Sequence, residues 1–199
     1  MLRALITGGG SRFGAAFVKE LEKTHEVEII PRAVLKGIGE KYNARHDSYD
    51  LVFFNHHAFP DGGEAFDVIT YEQNCLVNLR ILESINLHKD SKVFWMISAG
   101  IMVRERGDIK GYMQWAPYFA MKGMNVHIMK WFNHMKTYDG PAVQYPEPPK
   151  PIANYYAIDP GHMIDDHWDT PAKRVHTLVQ RDDLIGGKSY KLGGELSDI

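Results

Sequence analysis

Short apolar runs alternate with longer amphipathic segments along the chain. The runs have the length of buried strands, several end next to glycine, proline or asparagine, and they occupy 3–6, 27–30, 51–54, 92–97, 154–158 and 189–192. Apolar residues recur at helical spacing in segments between them, which cover 13–23, 71–85, 116–135 and 171–179. This alternation predicts an α/β domain with a parallel sheet and right-handed crossover connections.

Composition indicates an ordinary globular protein. The chain has 199 residues, of which 44% are hydrophobic and 24% charged, so we expect one domain over 1–199. With 23 basic and 25 acidic residues the formal charge is -2, which gives no basic surface for binding nucleic acid. No apolar run reaches the roughly eighteen residues of a membrane span, and the N-terminus has no export signal. A single cysteine, Cys75, fits a reducing compartment, and we expect a cytoplasmic protein.

A glycine-rich turn follows the first predicted strand and precedes the first predicted helix. It reads Thr7-Gly8-Gly9-Gly10-Ser11-Arg12-Phe13-Gly14. In this context glycines let the backbone approach a diphosphate, which the helix N-terminus attracts. The turn therefore predicts a nucleotide-binding site.

A tyrosine and a lysine lie four residues apart on the long helix predicted over 116–135. This spacing places Tyr118 and Lys122 on one helix face. A nearby cation favours the phenolate, so Lys122 can lower the pKa of Tyr118 and suit it to general acid/base chemistry. Ser98 follows the apolar strand 92–97, at the edge where open α/β sheets bind ligands, and its hydroxyl could polarise a substrate carbonyl.

Taken in order, these motifs resemble those of the short-chain dehydrogenase/reductase family. The turn over 7–14 is similar to the family's T-G-x-x-x-G-x-G, and Tyr118 with Lys122 to its Y-x-x-x-K. The other matches are Asn55-His56-His57-Ala58 at the N-N-A-G position, Asn74 in a helix, Ser98 after a strand, Pro160-Gly161, and Gly193-Gly194. The resemblance implies a Rossmann-type, doubly wound parallel sheet flanked by helices.

The resemblance also implies a mechanism and a set of site residues. A hydride would pass between the nicotinamide and a small carbonyl or alcohol while Tyr118 transfers the proton. Ser98 would hold the substrate oxygen, Lys122 would bind the nicotinamide ribose, and Asn74 would support a proton relay, with Asn78 one turn further as the alternative. The expected cofactor-binding residues are Gly8, Ser11, Arg12, Phe13, Gly14, Arg32, Asn55, His56, Lys122, Pro160 and Gly161.

The charges near the second predicted strand favour NADP(H) over NAD(H). Arg32 follows that strand, where an acidic residue would instead bind a free ribose 2′-hydroxyl, and 31–35 contains no acid. Arg12 adds a second cation in the glycine turn. Because an arginine fork matches a phosphate, both residues are candidates for the 2′-phosphate.

Several positions depart from the family pattern. Arg12 replaces the second glycine of the turn, and His56-His57-Ala58 replaces Asn-Ala-Gly. About twenty residues separate the second predicted strand from Leu51, too few for the family's usual strand and helix. We therefore expect a shortened sheet edge between the second and fourth family strands, with Asp47-Ser48 as a remnant of the adenine-binding segment.

The substrate region and the assembly are less defined by the sequence. We expect a short lid at about 160–172, and we assign no metal because its histidines and aspartates lack a recognised ligand spacing. The long helix is apolar on more than one side, so a homodimer or homotetramer and a buried position in a monomer are both open. One alternative function is a catalytically silent NAD(P)-binding sensor or interaction protein. Another is epimerase chemistry on a nucleotide-sugar, against which the short C-terminal region argues.

Overall fold

The computed structural model describes residues 1–36, 42–56, 76–97, 116–137, 152–159 and 168–192. The strands are β1 (Leu2–Thr7), β2 (His25–Ile29), β3 (Tyr49–Phe54), β4 (Leu87–Met96), β5 (Asn154–Asp159) and β6 (Ser189–Lys191). The helices are α1 (Arg12–Leu21), α2 (Arg32–Lys36), α3 (Val77–Ser84), α4 (Ala116–Thr137) and α5 (Asp169–Val179). None of the helices in these ranges is long and apolar enough to cross a membrane.

The six strands form one parallel sheet in the order β2-β1-β3-β4-β5-β6. β1 and β3 are neighbours at the centre. β2, which follows β1 in the chain, lies on the β1 side of this pair, and β4, which follows β3, lies on the β3 side. This reversal between β1 and β3 creates a crevice at the carboxyl edge, by which we mean the edge where the parallel strands end. The expected α/β class with a doubly wound parallel sheet is confirmed.

Helices cover both faces of the sheet and bury an apolar core on each. On one face, α1 and α5 pack over Ala4, Ile6, Phe53, Phe94 and Tyr156. On the other, α2, α3 and α4 contribute Leu35, Val77, Ile81 and Met129 over Leu5, Val52, Trp95 and Ala157. Alternating residues of each strand thus serve opposite cores, which explains why the strands read as continuous apolar runs.

The sheet edge beside β2 is short, as the sequence predicts. In the described ranges β2 pairs only with β1, and 42–48 has no strand. The buried carboxylate of Glu28 accepts hydrogen bonds from the hydroxyls of Tyr42 and Tyr49 and from the backbone N–H of Arg45, the last at 3.3 Å. Glu28 therefore fixes this segment by side-chain bonds where a further strand would use backbone pairing.

The interpretation of Asp47-Ser48 as part of an adenine site is wrong. Both residues come immediately before Tyr49, the first residue of β3, and so lie at the amino end of that strand. The glycine turn lies at the opposite, carboxyl edge, after the last residue of β1. A six-residue strand separates the two edges by about 20 Å.

Element bounds agree with the sequence where apolar periodicity is strong and differ where it is weak. The five-residue α2 was not predicted, and β4 begins at Leu87 rather than 92 because Leu87 pairs with Tyr49 ahead of a register shift between β3 and β4. The predicted helix over 71–85 is seen as Val77–Ser84, with 71–75 outside the described residues. Most of the expected lid, 160–167, also lies outside them.

Candidate functional site

Two glycines are required by the close packing of the turn after β1. Gly8 has a φ of 68°, and a Cβ there would lie 2.9 Å from Cα and N of His56. A Cβ on Gly14 would lie 2.1 Å from the carbonyl oxygen of Gly8. The turn is thus pressed between the end of β3 and the first turn of α1, where side chains have no room.

The N-terminus of α1 is only partly capped. The Ser11 hydroxyl accepts the N–H of Gly14 at 3.0 Å. The N–H groups of Arg12 and Phe13 have no acceptor among the described residues. Such N–H groups, together with the helix dipole, favour an anion. Because the Arg12 side chain is exposed and the Phe13 ring packs in the core, the turn offers backbone donors with a cation beside them.

The end of β3 is bonded directly to this turn. The backbone N–H of Asn55 donates to the Thr7 hydroxyl at 2.9 Å, and the Asn55 side-chain amide lies 3.2 Å from both the Gly8 carbonyl and the Ser11 hydroxyl. The backbone N–H of His56 also donates to Thr7, at 3.1 Å, and its Nδ1 lies 2.9 Å from the same hydroxyl. These bonds bring Gly8, Ser11, Asn55 and His56 into one cluster.

Lys122 lies buried at the carboxyl edge. Its ammonium donates to the carbonyl of Met96, the last residue of β4, at 3.2 Å, and only 6% of the residue is exposed. The backbone of Tyr118 lies one turn earlier on α4. Lys122 is therefore a cation fixed against the strand that neighbours β3, rather than a solvated surface lysine.

Arg32 lies at the same edge of the sheet. It is the first residue of α2, it is exposed, and it follows the carboxyl end of β2 as the sequence predicts. Other predicted residues fall outside the described ranges: Asn74, Ser98, Pro160 and Gly161, together with the side chain of Tyr118. Ser98 comes two residues after the end of β4, to which Lys122 is bonded.

Two buried polar residues at this edge were not among the predicted site residues, although Thr7 is part of the glycine-rich motif. Thr7 is 1% exposed and joins β1 to the end of β3, and Asp159 is fully buried at the carboxyl end of β5. Each is the last residue of an apolar strand, at the carboxyl edge of the sheet. A polar residue that ends an apolar run is visible in the sequence and could have indicated both positions. Asn78, the alternative to Asn74, is buried on α3.

No group of three or more histidine, cysteine, aspartate or glutamate residues within the described parts of the chain could hold a metal ion. The carboxyl edge of the sheet carries backbone N–H groups at the start of α1, two exposed arginines and the buried ammonium of Lys122. That chemistry suits a ligand with phosphates.

Comparison with known proteins identifies the fold. A short-chain dehydrogenase/reductase SDR:glucose/ribitol dehydrogenase from Brucella melitensis is similar with a TM-score of 0.65 at 10% identity, over 96% of this chain and 94% of that chain. A short-chain dehydrogenase/reductase family oxidoreductase from Brucella ovis, in complex with a partially ordered NAD, has a TM-score of 0.59 at 11% identity, over 97% and 100%. No protein-family model and no curated protein matches the sequence. The expected resemblance is confirmed at the level of fold: the chain has the short-chain dehydrogenase/reductase fold.

Proposed function

We propose that this protein is an NADP(H)-dependent oxidoreductase that transfers a hydride between the nicotinamide and a small carbonyl or alcohol. The observation that carries the proposal is Lys122, whose buried ammonium is bonded to the carbonyl of Met96 one helical turn from Tyr118. Burying a cation costs free energy, so its position is explained well by a catalytic or binding task.

The turn over 7–14 fits the diphosphate of a dinucleotide. The backbone N–H groups of Arg12 and Phe13 would hold phosphate oxygens at the N-terminus of α1. No described atom lies within 4 Å of a Cβ built on Gly10, so this part of the turn has room for a ligand. The exposed Arg12 side chain would lie beside the bound phosphates.

The chain's own residues would supply the acid/base chemistry. When bound, the nicotinamide gives or accepts a hydride. Tyr118 would donate a proton to the carbonyl oxygen during reduction, or accept it during oxidation, and Ser98 would hold that oxygen by a hydrogen bond. Lys122 would lower the pKa of Tyr118 by its charge, which is effective at a buried position because water screens it weakly.

Arg32 and Arg12 support a preference for NADP(H). Both are exposed at the carboxyl edge, one at the start of α2 and the other at the start of α1. These helices follow β2 and β1, which are neighbours in the sheet. A phosphate on the adenosine ribose would gain charge-assisted hydrogen bonds from an arginine in this position.

Titration of the purified protein with NADPH and NADH, followed by nucleotide fluorescence, tests the proposal. We expect NADPH to bind more tightly than NADH. Arg32→Ala should weaken NADPH binding by about tenfold, because it removes one charge-assisted hydrogen bond. Arg32→Ala should leave the affinity for NADH unchanged. Arg174→Ala is the matched control, since Arg174 is exposed on α5, on the other face of the sheet. Equal loss in both variants would contradict the assignment of Arg32.

The second candidate function is a nucleotide-binding protein without turnover. The observation that favours it is the replacement of the family's turn glycine by Arg12 and of the Asn-Ala-Gly segment by His56-His57-Ala58. Selective NADPH binding without NADPH consumption across a panel of small aldehydes and ketones would support it. Consumption that depends on Tyr118 would exclude it, and failure to bind either nucleotide would contradict both candidates.

A further inference from the structure

Four aromatic rings form a continuous row from the core to the surface, on the face of the sheet that α4 covers. Between ring centroids, Trp95 lies 6.0 Å from Tyr155, and Tyr155 lies 5.1 Å from Phe132. Phe132 in turn lies 5.9 Å from Trp131. Each step is within the range of aromatic rings in contact. The row begins with an indole that is 1% exposed and ends with an indole that is 51% exposed.

The sheet and α4 hold these rings in register. Trp95 on β4 and Tyr155 on β5 are diagonal neighbours on one face, since Tyr155 pairs with Val93. Asn133 fixes α4 against β5, because its side-chain amide donates to the carbonyl of Tyr155 at 2.8 Å and its oxygen accepts the N–H of Tyr155 at 3.3 Å. Phe132 precedes Asn133 on the helix, so these two bonds place its ring on that of Tyr155.

The inner end of the row lies at the carboxyl edge of the sheet. The ring of Trp95 is 5.2 Å from that of Phe54, which is the last residue of β3. The residue after Trp95 is Met96, whose carbonyl is bonded to the buried ammonium of Lys122. The row therefore connects the candidate site with the solvent around α4.

The two indoles differ in how well they hold a positive charge. Indole is the most easily oxidised aromatic side chain, and the loss of one electron leaves a radical cation on the ring. At Trp95 this charge would be buried near the Lys122 ammonium, and its Nε1–H has no acceptor in the part of the chain that the structure describes. At Trp131 water solvates the charge and can take the proton. Transfer of an electron from Trp131 to an oxidised Trp95 is therefore favourable.

The aromatic row on the opposite face of the sheet lacks these features. It consists of Phe13, Phe17, Phe53, Phe94, Tyr156 and Tyr190. Its first four rings are phenylalanines, which are far harder to oxidise than indole, and its last ring is only 8% exposed. The row under α4 is thus distinguished by the indoles at its two ends.

We propose that the row under α4 is an electron-transfer path that moves oxidising equivalents from the carboxyl edge of the sheet to the protein surface. An oxygen-centred radical at this edge takes one electron from Trp95 and is reduced. Trp131 then gives one electron to Trp95 through the rings of Tyr155 and Phe132, and it releases its Nε1 proton to water. The net loss is one electron and one proton from Trp131, while Trp95 is restored. The path needs no cofactor and is independent of the proposed function.

A photo-oxidant attached at the carboxyl edge tests the path in the full chain. Gly10→Cys in a Cys75→Ser background gives one attachment point for a ruthenium polypyridyl complex, since no described atom lies within 4 Å of a Cβ on Gly10. Illumination with a cobalt(III) quencher produces Ru(III), which takes an electron from the protein. Peptide mass spectrometry then locates the oxidised tryptophan. We expect the product at Trp131, with Trp95 intact.

Two variants interrupt the path at different points. Phe132→Leu removes a bridging ring, and Trp131→Phe removes the exposed end, where a surface substitution should leave the fold unchanged. We expect each variant to move most of the oxidation to Trp95. Trp168→Phe is the matched control, because Trp168 packs against the core on the other face, and it should leave the product at Trp131 unchanged.

The same complex without its attachment distinguishes transfer along the row from direct attack. It reaches the exposed Trp131 from solution and should oxidise it equally in the wild type and in Phe132→Leu. Equal oxidation of Trp131 by the attached complex in these two proteins would overturn the proposal, because the bridging ring would then have no effect. Oxidation that stays on Trp95 in the wild type, or that spares both tryptophans, would overturn it as well.

Discussion

Gly14 gives the most direct test of how the glycine turn is built. A Cβ at this position would lie 2.1 Å from the Gly8 carbonyl oxygen, more than 1 Å closer than ordinary contact, and 2.8 Å from the Ser11 hydroxyl. The Gly8 oxygen cannot easily move away, because it accepts from the Ser11 N–H, the Ser11 hydroxyl and the Asn55 amide. Gly14→Ala must therefore disturb the whole turn.

The expected loss of stability combines three effects. Overpacking a rigid contact costs about 1–3 kcal/mol, and each hydrogen bond lost from the Gly8 oxygen costs about 1 kcal/mol. Alanine in a helix returns about 1 kcal/mol relative to glycine. We expect a net decrease of about 2–3 kcal/mol in the free energy of unfolding. For a chain of this size, that corresponds to a fall in Tm of roughly 4–12 °C.

Urea denaturation and differential scanning calorimetry measure this loss, with Gly10→Ala as the matched control. No described atom lies within 4 Å of a Cβ on Gly10, so that variant should stay within about 0.5 kcal/mol of the wild type. The reasoning would be refuted if Gly14→Ala were as stable as the wild type, or if both variants lost the same stability.

Three further predictions concern catalysis, the sheet edge and acid stability. Tyr118→Phe should lower kcat by at least about a hundredfold and leave the Kd for NADPH unchanged, because it removes only the acid/base hydroxyl; unchanged steady-state turnover would contradict that role. Tyr42→Phe removes the hydrogen bond to the buried Glu28 carboxylate and should cost about 1.5–3 kcal/mol in urea denaturation, whereas a cost near zero would show that this bond does not hold the segment. Burial lowers the pKa of His25 in the folded protein below its ordinary value near 6.5. As the pH decreases below about 6.5, the unfolded chain therefore binds a proton more readily than the folded protein, and the free energy of unfolding should fall. Thermal unfolding between pH 5 and 8 should show a weaker dependence in His25→Asn; the same dependence in both proteins would exclude His25 as its source.

The sheet was predictable where strands are buried on both faces. The run at 154–158 became β5 (Asn154–Asp159) with almost the predicted bounds, because every residue from Tyr155 to Asp159 is buried. The first half of β4 was not predicted, since it contains His88, Lys89 and Asp90. Its conformation depends on pairing with β3 and on the Ser91 hydroxyl, which donates to the Tyr49 carbonyl. Such partners are distant in sequence and leave no local pattern.

The candidate site was predictable as a set of residue types but not as a geometry. The spacing of Tyr118 and Lys122 indicates a shared helix face, yet only the fold shows that Lys122 is buried against Met96. The contacts of Thr7 were hidden for the same reason, because its hydroxyl is bonded to Asn55 and His56, which come 48 and 49 positions later in the chain. Motifs identify the groups, and the neighbouring strands determine which of them touch.

The short edge beside β2 has a consequence for how the protein behaves in a crowded solution. A sheet that lacks an outer strand exposes backbone groups on which a strand of another molecule can pair. Here the outermost described strand has only five residues and carries acids at Glu26 and Glu28, one exposed and one engaged by two tyrosine hydroxyls. Shortness and negative charge both discourage such pairing. Within the described residues, this side of the sheet thus ends in a strand whose length and charge both disfavour pairing with another copy of the chain.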